Sequence, residues 1–205
     1  MRRACLLVLT SAAALVSACN APGTPAKPPT AQEILSKPLH SNLKDAHFLV
    51  SGKFTSDSST VNVNGDGTLV FKSKQAGRFK FMTTVAGQTV SFEEISIDGK
   101  DYTFTVPGNG KWTAKSSTSG LGPGSFVGSS EFKYVGEETL PQGKAWHARA
   151  KDKDGSPFDG WIRESDGYPL KYTVTQDNNA LALTFDKYNT GVTVSAPPAS
   201  QVVSG

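Results

Sequence analysis

Apolar and polar residues change their spacing twice along this chain. From Ala4 to Val16 the positions are apolar except for Thr10 and Ser11. That run is shorter than the ~20 apolar residues a membrane-spanning helix needs. Further on, Ile34, Leu35, Leu39 and Leu43 recur at helical spacing. Just ahead of them, Thr30-Ala31-Gln32-Glu33 has the form of a capping box, in which the threonine hydroxyl and the glutamate carboxylate each satisfy a backbone N–H of the first turn. The pattern predicts a short amphipathic helix, whole or in two pieces, across Thr30 to Lys44, with Pro38 kinking or dividing it.

From His47 the period becomes two. Strands are predicted at His47 to Phe54 and at Thr68 to Ser73, with Asn64-Gly65-Asp66-Gly67 as the turn between them. Others follow at Arg78 to Val85, Gln88 to Ile97 and Asp101 to Val106, the last two joined by an Asp98-Gly99 hairpin turn. Gly120, Gly122, Gly124 and Gly128 make Ser116 to Ser130 a loop. The alternation resumes at Phe132 to Thr139, Ala145 to Lys151, Phe158 to Glu164, Leu170 to Gln176 and Leu181 to Tyr188, with a last short strand at Val192 to Ser195. Pro197 and Pro198 end the ordered part, and residues 199–205 read as a disordered tail.

One helix followed by about ten antiparallel strands makes a mainly β (α+β) fold whose sheet must curl or close. One short helix cannot cover the apolar face of such a sheet, and an aromatic-lined concave surface left over is where apolar ligands bind. A fully packed barrel without a cavity fits the same alternation. Within each strand the candidate lining residues share a parity: Phe48, Val50 and Phe54; Phe79 and Phe81; Tyr102 and Phe104; Leu181, Leu183 and Phe185. The opposite parity carries Lys53, Lys80, Thr103 and Asp186, and a buried charge is costly, so that parity faces water.

Arg2 and Arg3 precede the first apolar run, and small residues Ser17 and Ala18 lead from it into Cys19. A charged start and a short apolar run have the form of a signal peptide, and Val16-Ser17-Ala18-Cys19 resembles the bacterial lipobox. The resemblance implies a signal peptide at residues 1–18, cleavage before Cys19, and a covalent diacylglycerol and acyl (palmitate) anchor on that cysteine. The chain would then lie on the extracytoplasmic face of the cell membrane, held there by lipid. Residues 19–29, with Pro22, Pro25, Pro28 and Pro29, read as an extended tether of about 30 Å, leaving one domain at residues 30–198. Apart from Cys5 in the signal and Cys19, the chain has no cysteine for a disulfide or a thiolate metal site. The net charge is +3, or +1 without Arg2 and Arg3, and the lysines are scattered, which is no nucleic-acid signature.

No catalytic set is apparent. Neither His47 nor His147 has a nucleophile placed beside it by a motif. Asn62-x-Asn64-x-Asp66-Gly67 imitates the start of a calcium loop, but the twelfth position is Ser73 rather than a bidentate glutamate, and the flanking strands make it a hairpin turn. Asp152, Asp154 and Asp159 surround a second turn. Glu93 and Glu94 are adjacent on a strand, point to opposite faces, and cannot act as a paired acid and base. Trp112, Trp146 and Trp161 suit a pocket wall or a packed core equally.

An ordered set of motifs carries a further resemblance. Asp98-Gly99-Lys100-Asp101-Tyr102-Thr103-Phe104 is followed by Lys111-Trp112. Later come Gly160-Trp161-Ile162-Arg163-Glu164, Tyr168-Pro169-Leu170-Lys171, Phe185-Asp186-Lys187-Tyr188, Val192-Thr193-Val194 and Pro197. Together, over Ala31 to Pro198, they resemble the LppX/LprG family of lipoproteins. That implies a LolA/LolB-like fold: a strongly curved antiparallel half-barrel with a short N-terminal helix on its concave side. It also implies a hydrophobic cavity that binds acylated lipid or glycolipid and helps carry it through the cell envelope, without catalysis or cofactor. Relatives carry helices in the middle of the chain, where this one has the Gly-rich Ser116 to Ser130, implying a shallower or more open cavity. The alternative is an envelope sensor that uses the same half-barrel to bind a protein partner.

Overall fold

The computed structural model describes residues 28–56, 59–72, 74–117, 128–152, 155–176 and 179–205. Among them, helix α1 (Ala31–His40) leads into β1 (Asp45–Ser56), β2 (Ser59–Val70), β3 (Ala76–Val85), β4 (Gln88–Ile97), β5 (Lys100–Val106) and β6 (Trp112–Ser116). The second half of the chain supplies β7 (Ser130–Leu140), β8 (Gly143–Lys151), β9 (Pro157–Arg163), β10 (Pro169–Gln176), β11 (Asn179–Tyr188) and β12 (Val202–Ser204). These twelve strands form one open sheet in the order β12-β6-β5-β4-β3-β2-β1-β11-β10-β9-β8-β7. All neighbours are antiparallel except β12, which runs parallel to β6. The result is a strongly curved half-barrel with α1 in its hollow, the architecture the alternation and the family resemblance lead one to expect.

The capping box at the start of α1 is present. Glu33 N donates to Thr30 Oγ1 at 3.3 Å, and Thr30 N donates to Glu33 Oε2 at 2.7 Å. Pro38 neither kinks nor divides the helix, because it lies in the last turn, and Ser41 N still closes on Lys37 O at 2.8 Å. α1 lies across β7, β8 and β9. Its Ile34 and Leu35, with Leu43 beyond its end, are buried among Ala148, Ala150, Phe158, Ile162, Tyr172 and Phe185. Burial of each large apolar side chain there contributes about 1.5–3 kcal/mol. Gly160 makes this docking possible: a Cβ on it would stand 2.5 Å from Leu35 Cδ2 and 2.9 Å from the Tyr172 ring.

The stretch Asn64 to Gly67 is not a turn but the middle of β2. Neither glycine has a positive φ; they are there for space. Gly67 pairs with Phe48 on one side and Phe79 on the other, and a Cβ on it would run into the Phe48 ring. Over this gap the aromatic rings form a ribbon. Phe185 and Phe79 each lie 5.4 Å from Phe48, and Phe81 lies 6.2 Å from Phe79. Tertiary packing, not turn geometry, explains these glycines, and that is why turn chemistry misplaced them.

The C-terminal end also differs from expectation. Val192 to Ser195 joins no strand of the sheet, while the supposed tail is ordered: Ala199–Gln201 is a 3₁₀ turn and Val202–Ser204 is β12. Two devices hold this segment. Asp45, only 2% exposed, accepts from Thr190 N, Thr190 Oγ1 and Gly191 N at 2.8, 2.7 and 3.0 Å. Beyond it, Val194 packs on Ala76, Ile95 and Ile97, on the outer side of the sheet. The apolar residues of β4 thus serve two faces, Val90 and Phe92 inward, Ile95 and Ile97 outward.

Candidate functional site

α1 covers only part of the hollow. Over the outer ends of β1 to β4 and the start of β11, the inward positions meet no helix among the described residues. Register brings them together: Gly52 faces Val63 on β2 and Leu181 on β11, Phe81 faces Phe92, and Thr83 faces Val90. Gly52 carries no side chain, and Leu181 folds over it, with its Cδ1 3.0 Å from where a Cβ would be. The rings of Phe81 and Phe92 stack at 6.1 Å and prolong the aromatic ribbon outward. These residues enclose an open, almost wholly apolar pocket of about 310 Å³, lined chiefly by Phe54, Val63, Phe81, Val90, Phe92 and Leu181. Its size is at the lower end of the roughly 300–1,000 Å³ usual for small-molecule sites.

Among the described residues, one ionisable group enters this wall. Glu94 follows Phe92 on the inward parity of β4, between Phe79 on β3 and Thr103 on β5. Burial, and secondarily the charge of Asp101, pushes its carboxyl up to about 6. Asp101 shares that face through its pairing with Ser96, and its Oδ1 is buried without a hydrogen-bond partner among the described residues. Adjacent Glu93 points outward, bound to Arg78 Nε at 2.6 Å, so the two glutamates are on opposite faces as their adjacency requires.

The predicted lining residues are distributed over three environments. Phe54, at 41% exposure, Phe81 and Leu181 line the pocket. Phe48, Val50, Phe79 and Phe185 share its face but are packed core; Val50 is 3% exposed. Leu183, half-buried, packs against that core. Tyr102 and Phe104 are on the other face: Tyr102 pairs with Ile95 and Phe104 with outward Glu93. There Tyr102 packs with Ile97 and Trp112, whose ring lies 5.3 Å from Phe104. Periodicity assigns a parity within each strand but not the phase between strands, and on β5 the aromatic parity is the outward one. Val63, Val90, Phe92 and Glu94 were not among the candidates. The alternation of β4 already put the last three on one face, whereas Val63 was hidden by the misplaced turn. Cys19 lies outside the described residues.

Over β7 to β9 the outer face carries a polar set of side chains. His147 stacks on Trp161 at 4.1 Å, and its two ring nitrogens each lie 2.7 Å from a carboxylate, Glu138 Oε1 and Asp159 Oδ1. Trp161 Nε1 donates to Glu138 Oε2 at 2.9 Å, and this bond, with His147, holds the Glu138 carboxyl below its ordinary range. Asp159 also accepts from Arg149. Every carboxylate here is taken up by a fixed donor, so the set ties β7, β8 and β9 together and offers no nucleophile. Asn62, Asn64 and Asp66 alternate with inward residues along β2 and form no loop. Asp152 caps its own turn through Ser156 N at 2.8 Å, and Asp154 lies outside the described residues. No group of three potential metal ligands occurs among the described residues. A shallow outer groove of about 720 Å³ has Lys53, Asn62, Asn64 and Lys171 in its lining beside Trp161 and Val174, and is more polar than the inner pocket.

No family model and no curated protein matches the chain. Solved structures do. An uncharacterized conserved protein from Thermus thermophilus is similar over 85% of this chain and 99% of its own, at 14% identity and a TM-score of 0.58. What is shared is the fold. Lipoprotein LppX from Mycobacterium tuberculosis is similar over 80% of this chain and 99% of its own, at 17% identity and a TM-score of 0.47. LprF from Mycobacterium bovis is similar over 82% and 96%, at 12% identity and a TM-score of 0.46.

Proposed function

We propose that this chain is a membrane-anchored lipoprotein that binds the acyl part of a lipid or glycolipid in its hollow and carries or presents it in the cell envelope. The observation that supports this most is the pocket of about 310 Å³ lined by Phe54, Val63, Phe81, Val90, Phe92 and Leu181. A contiguous exposed apolar surface of this kind marks a binding site. Filling it with acyl chain gains about 25 cal/mol per Å² removed from water, with no chemical step required. The anchor is Cys19, whose acyl chains would hold the protein at the membrane; among the described residues no helix is long and apolar enough to cross one.

The test fills the pocket without removing hydrophobicity. Val63 is half-buried in the pocket wall, unlike Val50 in the core, where a larger side chain would cost about 1–3 kcal/mol through overpacking. Val63→Trp should leave the melting temperature within a few degrees of the parent and weaken uptake of a fluorescent acyl lipid at least about tenfold, or by ~1.4 kcal/mol. Undiminished uptake by a folded Val63→Trp protein would show that lipid goes elsewhere, and no uptake by the parent would favour a protein partner.

A further inference from the structure

An apolar pocket needs no carboxyl group, yet Glu94 stands in its wall. Its surroundings can be enumerated strand by strand. From β3 it meets Phe79, while Arg78 and Lys80 belong to the outward parity and face Ile95 and Glu93. From β5 it meets uncharged Thr103 and, diagonally, Asp101. On β6, Lys115 is the register partner of Asp101, one strand further away. On β4 itself, Glu93 points outward to Arg78. The remaining pocket residues, from Phe54 on β1 to Leu181 on β11, carry no charge. Burial and Asp101 both act against ionisation of Glu94, and among the described residues no cation offsets them.

We propose that Glu94 is the specificity-determining residue of the pocket, admitting an apolar chain in its neutral form and opposing it when ionised, so that uptake is coupled to binding of a proton. The inference rests on the acyl-binding reading above. An acyl chain laid against Glu94 takes the water from its carboxyl. The neutral acid loses little, whereas the carboxylate loses its hydration and gains no partner. Asp101 adds to this, because its repulsion strengthens as water leaves the space between the two groups. Linkage fixes the sign. A chain that binds the protonated form better must raise the affinity of Glu94 for its proton, so chain binding is tightest below about pH 6 and weakens as pH rises through that value.

The coupling has a stated ceiling. If only the neutral form admits the chain, apparent affinity scales with the neutral fraction, so binding at pH 7.5 is up to about thirtyfold weaker than at pH 5. The probe is a fluorescently labelled monoacylglycerol, which has no ionisable group in this range, titrated into the full chain between pH 5 and pH 8. The parent should show the pH-dependent loss. Glu94→Gln should bind at all pH values about as the parent does at pH 5. Asp101→Asn should keep the dependence but move its midpoint to lower pH, since removing that repulsion eases ionisation of Glu94. A pH-independent parent, a pH dependence unchanged in Glu94→Gln, or a midpoint that rises in Asp101→Asn would overturn the coupling alone. No binding at any pH in either the parent or Glu94→Gln would overturn the acyl-binding reading, and the coupling with it.

Discussion

The hollow of the sheet has two halves that share residue types and alternation but not their fate. Over β7 to β9, α1 supplies Ile34 and Leu35, and the residues beneath, Ala148, Ala150, Phe158 and Ile162, are buried. Over the outer ends of β1 to β4, no helix arrives among the described residues, and Phe54, Val63, Phe81, Val90 and Phe92 keep part of their surface in water. The first half is satisfied by packing within the chain; the second retains apolar surface that something else can cover. An inward apolar position is therefore core or pocket according to what lies over it, not according to its own identity. Glu94, the one carboxyl among the described residues of the uncovered wall, marks the boundary where the aromatic ribbon gives way to the polar inward positions Ser96, Asp101 and Thr103.

Truncating equivalent leucines in the two halves breaks this comparison most sharply. Leu35→Ala should cost about 2–5 kcal/mol, because the fully packed site collapses poorly. Leu181→Ala, at the pocket, should cost clearly less and weaken acyl binding instead. Denaturant midpoints at constant slope read the first difference and probe titration the second; equal stability costs would show that the two halves are packed alike. The cover itself depends on its cap, so Thr30→Ala should lower stability by about 0.5–2 kcal/mol. An unchanged midpoint would mean that α1 adds little to the covered half.

The smallest effect has the opposite sign. The raised pKa of Glu94 means that the folded protein holds this proton more tightly than the unfolded chain does. Its stabilising contribution is complete below about 4.5 and is lost as pH rises through about 6. Glu94→Gln should therefore stabilise the protein at pH 7.5, by roughly 1 kcal/mol or less once the remaining exposure of the group is allowed for, and leave it unchanged at pH 4. Thermal unfolding at the two pH values checks this; equal stabilisation at both would point to a packing effect rather than to charge.

Much of this arrangement was legible in the residues. The capping box at Thr30 and Glu33, the Asp98-Gly99 turn and the limits of β4 follow from local chemistry, because each depends on atoms a few residues apart. What depended on distant partners was not. Gly65 and Gly67 look like turn residues until Phe48 is placed above Gly67. Tyr102 and Phe104 look like lining until the pairing of Ile95 with Tyr102 turns them outward. Residues 202–204 look like a tail until β6 offers them an edge. In the candidate site, the parity of Val90, Phe92 and Glu94 was readable, but not that α1 stops short of them.

Methyl-resolved NMR during titration with an acyl ligand tests the division of the hollow most directly. The methyl signals of Val63, Val90 and Leu181 should move with ligand concentration, while those of Ile34, Leu35 and Ile162 stay in place. Shifts concentrated at Ile34, Leu35 and Ile162, with the first set still, would mean that ligand enters by displacing α1, and would contradict the account.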